Sequence, residues 1–378
     1  MNSSLEGLAG HRTQEASGKP VGIRFHSWLS RAWQKRGLVA WLLWPFSLLY
    51  RLVRALASAT YLIGLKRPQG VGVPVVVVGN LYTGGTGKTP LVIEVVTRLK
   101  QRGWHPGVVS RGYGGAAHHA RLVTAGSDAA ECGDEPLLIA AATGAPVAVG
   151  RDRVAAAQLL RKSHPSCDVL VADDGLQHRR LARDFEIAVI HARGVGNGWQ
   201  LPAGPLRESA RRLRNVDAVV FNGPVQPVRI HSPFFFLRTE VTEAYCLARP
   251  ERRGNLDHLA RRQAQGQLRL MAACGIGTPE SFFDMLREHG LKFRTLALPD
   301  HYAYRHNPFP RHGVDGILIT EKDAVKCRSD RTLAHDERLW VVPLRVNLDR
   351  ALTDMIETRL RNGSSMIETR FPNGSTAA

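Results

Sequence analysis

Apolar residues along this chain fall into short runs that alternate with helical patterns. The clearest run is 75–78, four consecutive valines of the kind found in buried parallel strands. After it, Leu91, Val95 and Leu99 recur every four residues, which places them on one face of a predicted helix. Further strand candidates are residues 106–110, 146–149, 169–172, 187–190 and 218–221, and residues 153–161 are a helix candidate. This alternation predicts βαβ units and a parallel sheet with helices on both faces.

A second, smaller α/β pattern lies towards the end of the chain. Its strand candidates are residues 268–273, 316–320 and 339–342, and its helix candidate is 279–289. The predicted segments are a flexible extension (1–23), a membrane-associated helical segment (24–67), a first α/β domain (68–232), an extended linker (233–248), a second α/β domain (249–348) and a tail (349–378). The tail repeats Met355-Ile-Glu-Thr-Arg359 as Met366-Ile-Glu-Thr-Arg370, and we interpret it as dispensable.

Residues 38–65 are an apolar stretch that is long enough to span a bilayer on hydropathy alone. Ser47, Arg51, Arg54 and Ser58 follow each other at spacings of four, three and four, so they form one polar stripe of a helix. Two arginines in the middle of a span would cost about 2.5–3.5 kcal/mol each, whereas a helix that lies in the membrane interface avoids this cost. We therefore predict an amphipathic membrane helix. There are two alternatives: a soluble helix packed on the core, or a break at Pro45 with a short segment before it inserted into the membrane.

Charge and cysteine content narrow the possible partners. The 378 residues carry a net charge of +18. Residues 1–67 contribute +8 of it, from ten Lys or Arg against two Glu. This balance indicates an anionic membrane, a phosphorylated substrate or nucleic acid, and Trp41, Trp44 and Tyr50 in the apolar stretch favour the membrane over nucleic acid. The five cysteines are scattered without a C-x-x-C pair, which favours a reducing compartment and disfavours a zinc site.

A glycine-rich segment connects the first predicted strand to the first predicted helix. Its ending matches the phosphate-binding loop G-x-x-x-x-G-K-[ST], although Tyr82 stands where the first glycine is expected. Free N–H groups at a helix N-terminus attract phosphate oxygens, Lys88 would contact the β- and γ-phosphates, and Thr89 would bind Mg²⁺. A glycine-rich turn without a ligand is the alternative. The candidate nucleotide-binding residues are Thr83, Gly84, Gly85, Thr86, Gly87, Lys88, Thr89 and Pro90.

Carboxylates follow at positions where a phosphate loop needs them. Asp173 and Asp174 come directly after strand candidate 169–172, at the edge of the sheet where Mg²⁺ ligands are expected. We predict that they hold Mg²⁺ and that Gln177 and His178 orient phosphate or substrate, with a simple turn as the alternative.

Three further strings carry chemistry. Cys132-Gly-Asp-Glu-Pro136 contains another acidic pair, and Leu298-Pro-Asp-His-Tyr302 places a carboxylate beside an imidazole, an arrangement that can deprotonate a hydroxyl. Thr320-Glu-Lys-Asp323 only approaches the guanine-selective sequence [NT]-K-x-D, so we favour ATP as the nucleotide.

Together the motifs resemble one family, the tetraacyldisaccharide 4′-kinases of lipid A biosynthesis. The resemblance runs in family order from about residue 25 to residue 348, and the variant phosphate loop is itself expected there. The matching strings are Val78-Gly-Asn80, Gly84-Gly-Thr-Gly-Lys-Thr-Pro90, Ser110-Arg-Gly-Tyr-Gly114, Gly133-Asp-Glu-Pro136, Asp173-Asp-Gly-Leu-Gln-His178, Leu201-Pro-Ala-Gly-Pro-Leu-Arg-Glu208, Gly275-Ile-Gly277, Pro299-Asp-His-Tyr302 and Thr320-Glu-Lys-Asp323.

The resemblance implies a fold, a reaction and a place. Two α/β/α domains are expected to enclose a cleft, with ATP and Mg²⁺ on the phosphate loop of the first. The acceptor is expected to be the 4′-hydroxyl of a tetraacylated glucosamine disaccharide 1-phosphate, held at the cytoplasmic face of the inner membrane. No obligate protein partner is indicated.

The resemblance also implies roles for individual residues. Lys88 and Thr89 bind the phosphates and Mg²⁺, and Asp173 and Asp174 supply the metal and cleft carboxylates. Asp134, paired with His301, is the expected catalytic base. The expected substrate contacts are Arg111, Arg153, Gln177, His178, Arg207 and Glu208.

Two other functions are alternatives at this stage. Membrane-associated ATPase switches of the partition or septum-placement kind share G-G-x-G-K-T, but they carry a lysine where this chain has Thr83. A nonenzymatic lipid-binding scaffold needs no base, so Asp134 and His301 disfavour it. Phosphate transfer from ATP to a lipid acceptor would separate the three functions.

Overall fold

The fold is described by a computed structural model that covers residues 31–112, 115, 119–124, 126–223 and 230–370. The predicted extension at 1–23 and residues 113–114 of the basic loop lie outside this description. The helices are α1 (Leu38–Leu62), α2 (Lys88–Gln101), α3 (Ala129–Cys132), α4 (Asp134–Thr143), α5 (Arg153–Ser163), a 3₁₀ helix (Ala210–Asn215), α6 (Leu256–Ala264), α7 (Pro279–Glu288), α8 (Glu321–Ser329), α9 (Arg331–Ala334) and α10 (Arg350–Arg370). The strands are β1 (Val75–Asn80), β2 (Pro106–Ser110), β3 (Arg121–Val123), β4 (Val147–Val149), β5 (Val169–Asp173), β6 (Phe185–His191), β7 (Ala218–Asn222), β8 (Phe234–Glu240), β9 (Glu243–Cys246), β10 (Arg253–Asn255), β11 (Leu270–Cys274), β12 (Phe293–Ala297), β13 (Gly316–Thr320), β14 (Leu339–Val342) and β15 (Arg345–Leu348).

The first sheet has nine strands in the order β15-β8-β7-β6-β1-β5-β2-β4-β3. Its inner strands pair in parallel, and the edge strands β3 and β15 pair antiparallel with their neighbours. Strand β1 lies between β5 and β6, with Val78 opposite Asp173. The carboxyl ends of β1 and β5 therefore meet at one edge, which is where the predicted phosphate loop and acidic pair begin.

Helices cover both faces of this sheet because its central valines alternate in direction. Val76 and Val78 point into one core with Leu91 and Leu99 of α2, and Val75 and Val77 point into another with α5. Burying each such side chain stabilises the fold by about 1.5–3 kcal/mol. The predicted α/β class, with a parallel-dominated sheet and helices on both faces, is confirmed.

A second sheet of six strands follows, in the order β10-β9-β14-β13-β11-β12. Strands β12, β11, β13 and β14 are parallel, and β9 and β10 are antiparallel additions. Helix α8 begins directly at the carboxyl end of β13, where the side chain of Thr320 accepts a hydrogen bond from the backbone N–H of Asp323. We call this sheet with its helices the second α/β unit, and the nine-stranded sheet with its helices the first α/β unit.

The predicted linker and tail are built into the fold. Segment 233–248 supplies β8 to the first sheet and β9 to the second, so it does not form a separate linker. Strand β15 then returns the chain to the first sheet, and helix α10 buries Leu352, Ile356 and Leu360 in the same core as α2. This part of the predicted tail is therefore a packed helix, because apolar positions spaced four residues apart place one of its faces in the core of the first sheet.

Helix α1 packs with its polar stripe towards the protein. The buried hydroxyl of Ser47 donates to the carbonyl of Gln200 and accepts from the N–H of Ala203. Arg54 pairs with Glu208 at 2.8 Å, and the hydroxyl of Tyr50 donates to the carbonyl of Arg207. The sequence predicted the polar stripe that contains Arg54, but it assigned Tyr50 to the membrane, whereas both side chains bind to the protein.

The opposite face of α1 and its continuation is apolar and exposed. In the described part of the chain, α1 is the one helix long and apolar enough to cross a membrane, by length and composition alone. A contiguous exposed apolar face of this size is typical of a surface that contacts a membrane or another protein. The exposed large apolar residues are Leu38, Trp41, Leu42, Phe46, Leu48, Leu49, Leu52, Val53, Leu56, Leu62, Ile63 and Leu65.

Replacing Ile356 by Ala tests whether α10 supports the first unit. The side chain is 1% exposed in the main core, so its loss should lower the free energy of unfolding by about 2–5 kcal/mol. Denaturant unfolding in detergent measures the change. Thr358→Ala, an exposed position on the same helix, is the matched control and should change stability little. Equal stability of the two variants would restore the interpretation of a dispensable tail.

Candidate functional site

The glycine-rich loop forms a tight turn into helix α2, which begins at Lys88. Gly87 has a φ of 80°, in the left-handed region, and a Cβ there would lie 1.9 Å from the side-chain nitrogen of Asn222. That nitrogen donates to the carbonyl of Thr86 at 3.1 Å. Glycine is therefore required at this position both by the backbone conformation and by the close approach of β7.

Two side chains hold the rest of the loop in shape. Asn80, at the end of β1, donates to the hydroxyl of Thr86 at 2.8 Å and to the carbonyl of Gly84 at 3.3 Å. Arg193 donates to the carbonyl of Gly85, and its guanidinium lies 5.0 Å from the ring centroid of Tyr82. The tyrosine that replaces the expected first glycine is thus a packing residue of the loop.

Asp173 ends β5 with a carboxylate that is 1% exposed. The hydroxyl of Ser110 donates to one oxygen at 2.9 Å, and the other oxygen has no hydrogen-bond partner among the described residues. Burial raises the pKa of Asp173 to about 7. The negative charges of Glu135 and Asp174 raise this pKa further, and the positive charge of Lys88 partly opposes the increase. A buried carboxylate with an unpartnered oxygen is suited to a cation.

Asp174 differs from its neighbour because cations surround it. Its carboxylate lies 3.4 Å from the Lys88 ammonium and accepts two hydrogen bonds from Arg207, at 3.0 and 3.1 Å. Burial alone would raise the pKa of Asp174, but Lys88 and Arg207 hold it below its ordinary value. The backbone φ of 51° is uncommon for a residue with a side chain, and Arg153 donates to the Asp174 carbonyl at 3.3 Å.

The predicted metal ligands fit a magnesium ion in chemistry. Asp173 ends β5 and Asp174 follows it, and Thr89 lies in the first turn of α2, at the same edge of the first sheet. Hydroxyl and carboxylate oxygens are the ligands that Mg²⁺ prefers, together with phosphate oxygens and water. Among the described residues, no group of three or more His, Cys, Asp or Glu is arranged to hold a metal.

The predicted pair Asp134 and His301 meets across the two units. Asp134 begins α4 of the first unit, and His301 follows β12 of the second. Nδ1 of His301 lies 3.0 and 3.1 Å from the two carboxylate oxygens, although 167 positions separate the residues. Burial alone would raise the pKa of Asp134, but His301, Lys322 and Lys326 hold it below its ordinary value. The hydrogen bond to Asp134 in turn raises the pKa of His301.

Three of the candidate substrate residues, Gln177, His178 and Arg111, differ in their surroundings. Gln177 donates to the carbonyl of Asn80 and lies 3.4 Å from Arg207, so it belongs to the cluster around Asp174. Burial lowers the pKa of His178 to about 4, and its Nε2 is buried without a hydrogen-bond partner among the described residues. Arg111 is exposed after β2.

Arg153 and Glu208 have structural partners in this arrangement. Arg153 is 4% exposed and donates to the carbonyls of Gly150, Arg151 and Asp174. Glu208 is 6% exposed and holds Arg54 of α1. The family motif predicts a substrate contact for Glu208. In the structure, its carboxylate instead forms an ion pair with Arg54 and so holds helix α1 against the first unit.

Comparison with known proteins decides the family. The model of the tetraacyldisaccharide-1-P 4′-kinase family, LpxK, matches residues 39–361. The chain belongs to this family. The family predicted from the ordered motifs is thus confirmed, and with it the kinase activity, while the partition-type ATPase is not favoured.

Members of the 4′-kinase family resemble the chain over nearly their whole length. The tetraacyldisaccharide 4′-kinase of Herminiimonas arsenicoxydans is 48% identical over 341 residues, covering 88% of this chain and 95% of that protein. The one from Bordetella petrii is 46% identical over 357 residues, covering 92% and 99%. A crystal structure of LpxK from Aquifex aeolicus in complex with ATP matches with a TM-score of 0.72 and 28% identity, over 85% of this chain and all of that one.

Several residues around the 4′-kinase site were missed by sequence reasoning. Ser110 and Asn80 stand at strand ends inside strings that were quoted for the family, and their position after β-runs was the available signal. Lys322 and Lys326 lie within 4 Å of Asp134, but the sequence assigned neither lysine a role: Lys322 stood only within a quoted string, and Lys326 lay beyond it. Their spacing of four, directly after strand candidate 316–320, is compatible with one face of a helix and was the usable signal.

Replacing Asp173 by Asn tests the buried carboxylate. The pKa of this carboxyl rises from 3.8 to about 7 on folding. Between these two values the unfolded chain has lost the proton and the folded protein still binds it, so the free energy of unfolding falls as the pH rises through this window. Asp173→Asn should therefore raise the melting temperature at pH 8, in buffer without Mg²⁺ and nucleotide, and the gain should shrink at pH 5. The exposed Asp284→Asn serves as control. A variant that melts at or below the wild-type temperature at pH 8 would contradict the assignment.

Proposed function

We propose that the site transfers the γ-phosphate of ATP to the 4′-hydroxyl of a tetraacylated glucosamine disaccharide 1-phosphate, with Asp134 as base. The observation that carries the proposal is the contact of Asp134 with His301 across the two units, beside the edge that holds the phosphate loop. Family membership supports the kinase reaction and the lipid A precursor as substrate. The contact between Asp134 and His301 supports Asp134 as the group that accepts the proton of the acceptor hydroxyl.

A sugar hydroxyl has a high pKa, so its proton must be accepted as the phosphoryl group arrives. Asp134 is ionised at neutral pH because cations lower its pKa, and it is therefore ready to accept a proton. His301 donates to the carboxylate through Nδ1, which fixes the direction of its oxygens. Because the two residues belong to different units, the base is complete in the arrangement that also encloses the acceptor, which would limit ATP hydrolysis by water.

The phosphates of ATP require cations and N–H donors. The loop Thr83–Pro90 and the N-terminus of α2 would surround them, with the Lys88 ammonium exchanging Asp174 for phosphate oxygens. Thr89, Asp173 and Asp174 would hold Mg²⁺, which would neutralise negative charge on the phosphates when bound. Ser110 and Arg207 keep the two carboxylates directed to the same edge.

Substrate contacts are assigned to cations and polar groups around this edge. We propose that Arg111, Arg207, Gln177 and His178 contact the disaccharide or its phosphate groups. Arg153 acts through the Asp174 carbonyl that it holds.

The acceptor is a lipid, and the exposed face of α1 provides a way to reach it. We propose that α1 lies at the cytoplasmic face of the inner membrane with its apolar side in the lipid. Ser47 and Arg54, which would be unfavourable in lipid, are already satisfied by Gln200 and Glu208. The helix is therefore fixed to the enzyme by polar contacts and to the bilayer by apolar ones.

A double-mutant cycle tests the base. Asp134→Asn and His301→Gln should each lower the maximal rate of phosphate transfer from ATP to the lipid acceptor by about 10²–10⁴-fold, with a smaller effect on the KM for ATP. The double variant should be little worse than the poorer single variant, since residues that act as a unit are non-additive. Lys88→Ala, which removes the phosphate-binding cation, defines the floor of the assay. Losses that multiply would show that the two residues act independently.

Changing the apolar face of α1 tests the membrane assignment. Leu49, Leu52 and Leu56 are each at least 56% exposed, so replacing all three by Gln should leave the fold intact. The variant should move from the membrane fraction to the soluble fraction, because lipid no longer gains apolar contact. Arg51→Gln on the same helix is the control and should stay with the membrane. Complete sedimentation of the triple variant with membranes would assign the anchor to another surface.

A further inference from the structure

Helix α8 brings two lysines to the carboxylate of Asp134. The ammonium of Lys326 lies 3.6 Å from this carboxylate, and that of Lys322 lies 3.8 Å from it. Both belong to the second unit, as His301 does, so three cationic or potentially cationic groups of one unit converge on a single acid of the other. The kinase mechanism described above uses neither lysine.

The burial of Lys326 makes its position informative. The residue is 7% exposed, and its ammonium forms no hydrogen bond with any residue that the structure describes. Its nearest anions are Asp134 and Asp323, each at 3.6 Å. Asp323 already accepts hydrogen bonds from the N–H of Gly275 and the hydroxyl of Thr320. Lys326 therefore lies between an anion of its own helix and Asp134 of the other unit, and a buried ammonium without such anions would be strongly unfavourable.

Lys322 adds a second link between the units. Its ammonium donates to the carboxylate of Glu135 at 3.1 Å, next to Asp134 on α4. Lys322 and Lys326 stand one turn apart on α8, and Asp134 and Glu135 form the first turn of α4. The two helix N-termini thus approach each other through matched charges.

We propose that Lys322 and Lys326 are positioning residues for phosphoryl transfer, which keep Asp134 charged and directed into the cleft through contacts made across the two units. The inference rests on the proposed role of Asp134 as base. It differs from a purely structural ion pair because it ties the charge of the base to the second unit. The groups that face Asp134 are His301, Lys322 and Lys326, and the acids around them are Glu135, Asp300 and Asp323.

The pH dependence of kcat/KM for the lipid acceptor tests this role. Its acid limb reports the ionisation of the base in the free enzyme. Removing an opposite charge within 4–6 Å raises the pKa of an acid by about one unit or more. Lys326→Met and Lys322→Met should each move the acid limb to higher pH by about one unit, and the double variant should move it further. Lys326→Arg keeps the charge and should retain the wild-type limb.

Controls separate this proposal from the assignment of the base. Lys292→Met, an exposed lysine of the same unit, should leave the profile unchanged. An unmoved acid limb in folded Lys322→Met, with or without a uniformly lower rate, would reduce the lysines to structural contacts and overturn the inference. Lys322 is the less buried of the two, so its variant answers the question even where Lys326→Met does not fold. Full activity of Asp134→Asn would instead overturn the base itself.

Discussion

Residues 197–208 are packed between helix α1 and the phosphate loop, and the geometry of the site depends on this packing. On one side, the carbonyl of Gln200 accepts from Ser47 of α1. On the other, the N–H of Thr83 donates to the Pro205 carbonyl, and Arg207 holds Asp174. The exposed apolar face of α1 and the phosphate loop are therefore attached to the same short segment. If α1 lies in the membrane and the loop binds ATP, as we propose, this packing fixes the distance between the lipid surface and the nucleotide.

The second unit completes this edge instead of forming a separate site. Its sheet is covalently tied to the first through β8, and the chain returns to the first sheet in β15 and α10. Between these crossings, the loop after β12 and the start of α8 deliver His301, Lys322 and Lys326 to Asp134. Two covalent connections and these charged contacts therefore join the second unit to the first on the side of Asp134.

The elements that depend on local sequence patterns were predicted correctly. The valine run of β1, the glycine loop and the helix after it follow from chain periodicity and backbone freedom, and the structure has them as expected. The contact of Asp134 with His301 was available through the family motifs, since no local rule connects positions 167 apart. Glu208 and Arg54 could not be paired from the sequence, because which face of α1 meets the protein depends on a partner segment far along the chain. The place of α10 was missed for the same reason: its apolar positions have meaning only beside α2.

Three carboxylates at one edge differ in charge because the chain distributes its cations unequally among them. Asp173 has a serine hydroxyl and an unpartnered oxygen, and burial raises its pKa to about 7. Asp174 and Asp134 are also buried, but arginine and lysine neighbours keep the pKa of each below its ordinary value. Because the uncompensated position is the one that gains most from an added cation, this pattern supports Asp173 as a metal ligand in the proposed mechanism, while Asp134 keeps the negative charge required of the proposed base. The placement of Lys88, Arg207, Lys322 and Lys326 thus gives neighbouring carboxylates different electrostatic surroundings, which suits the separate roles that we propose for them.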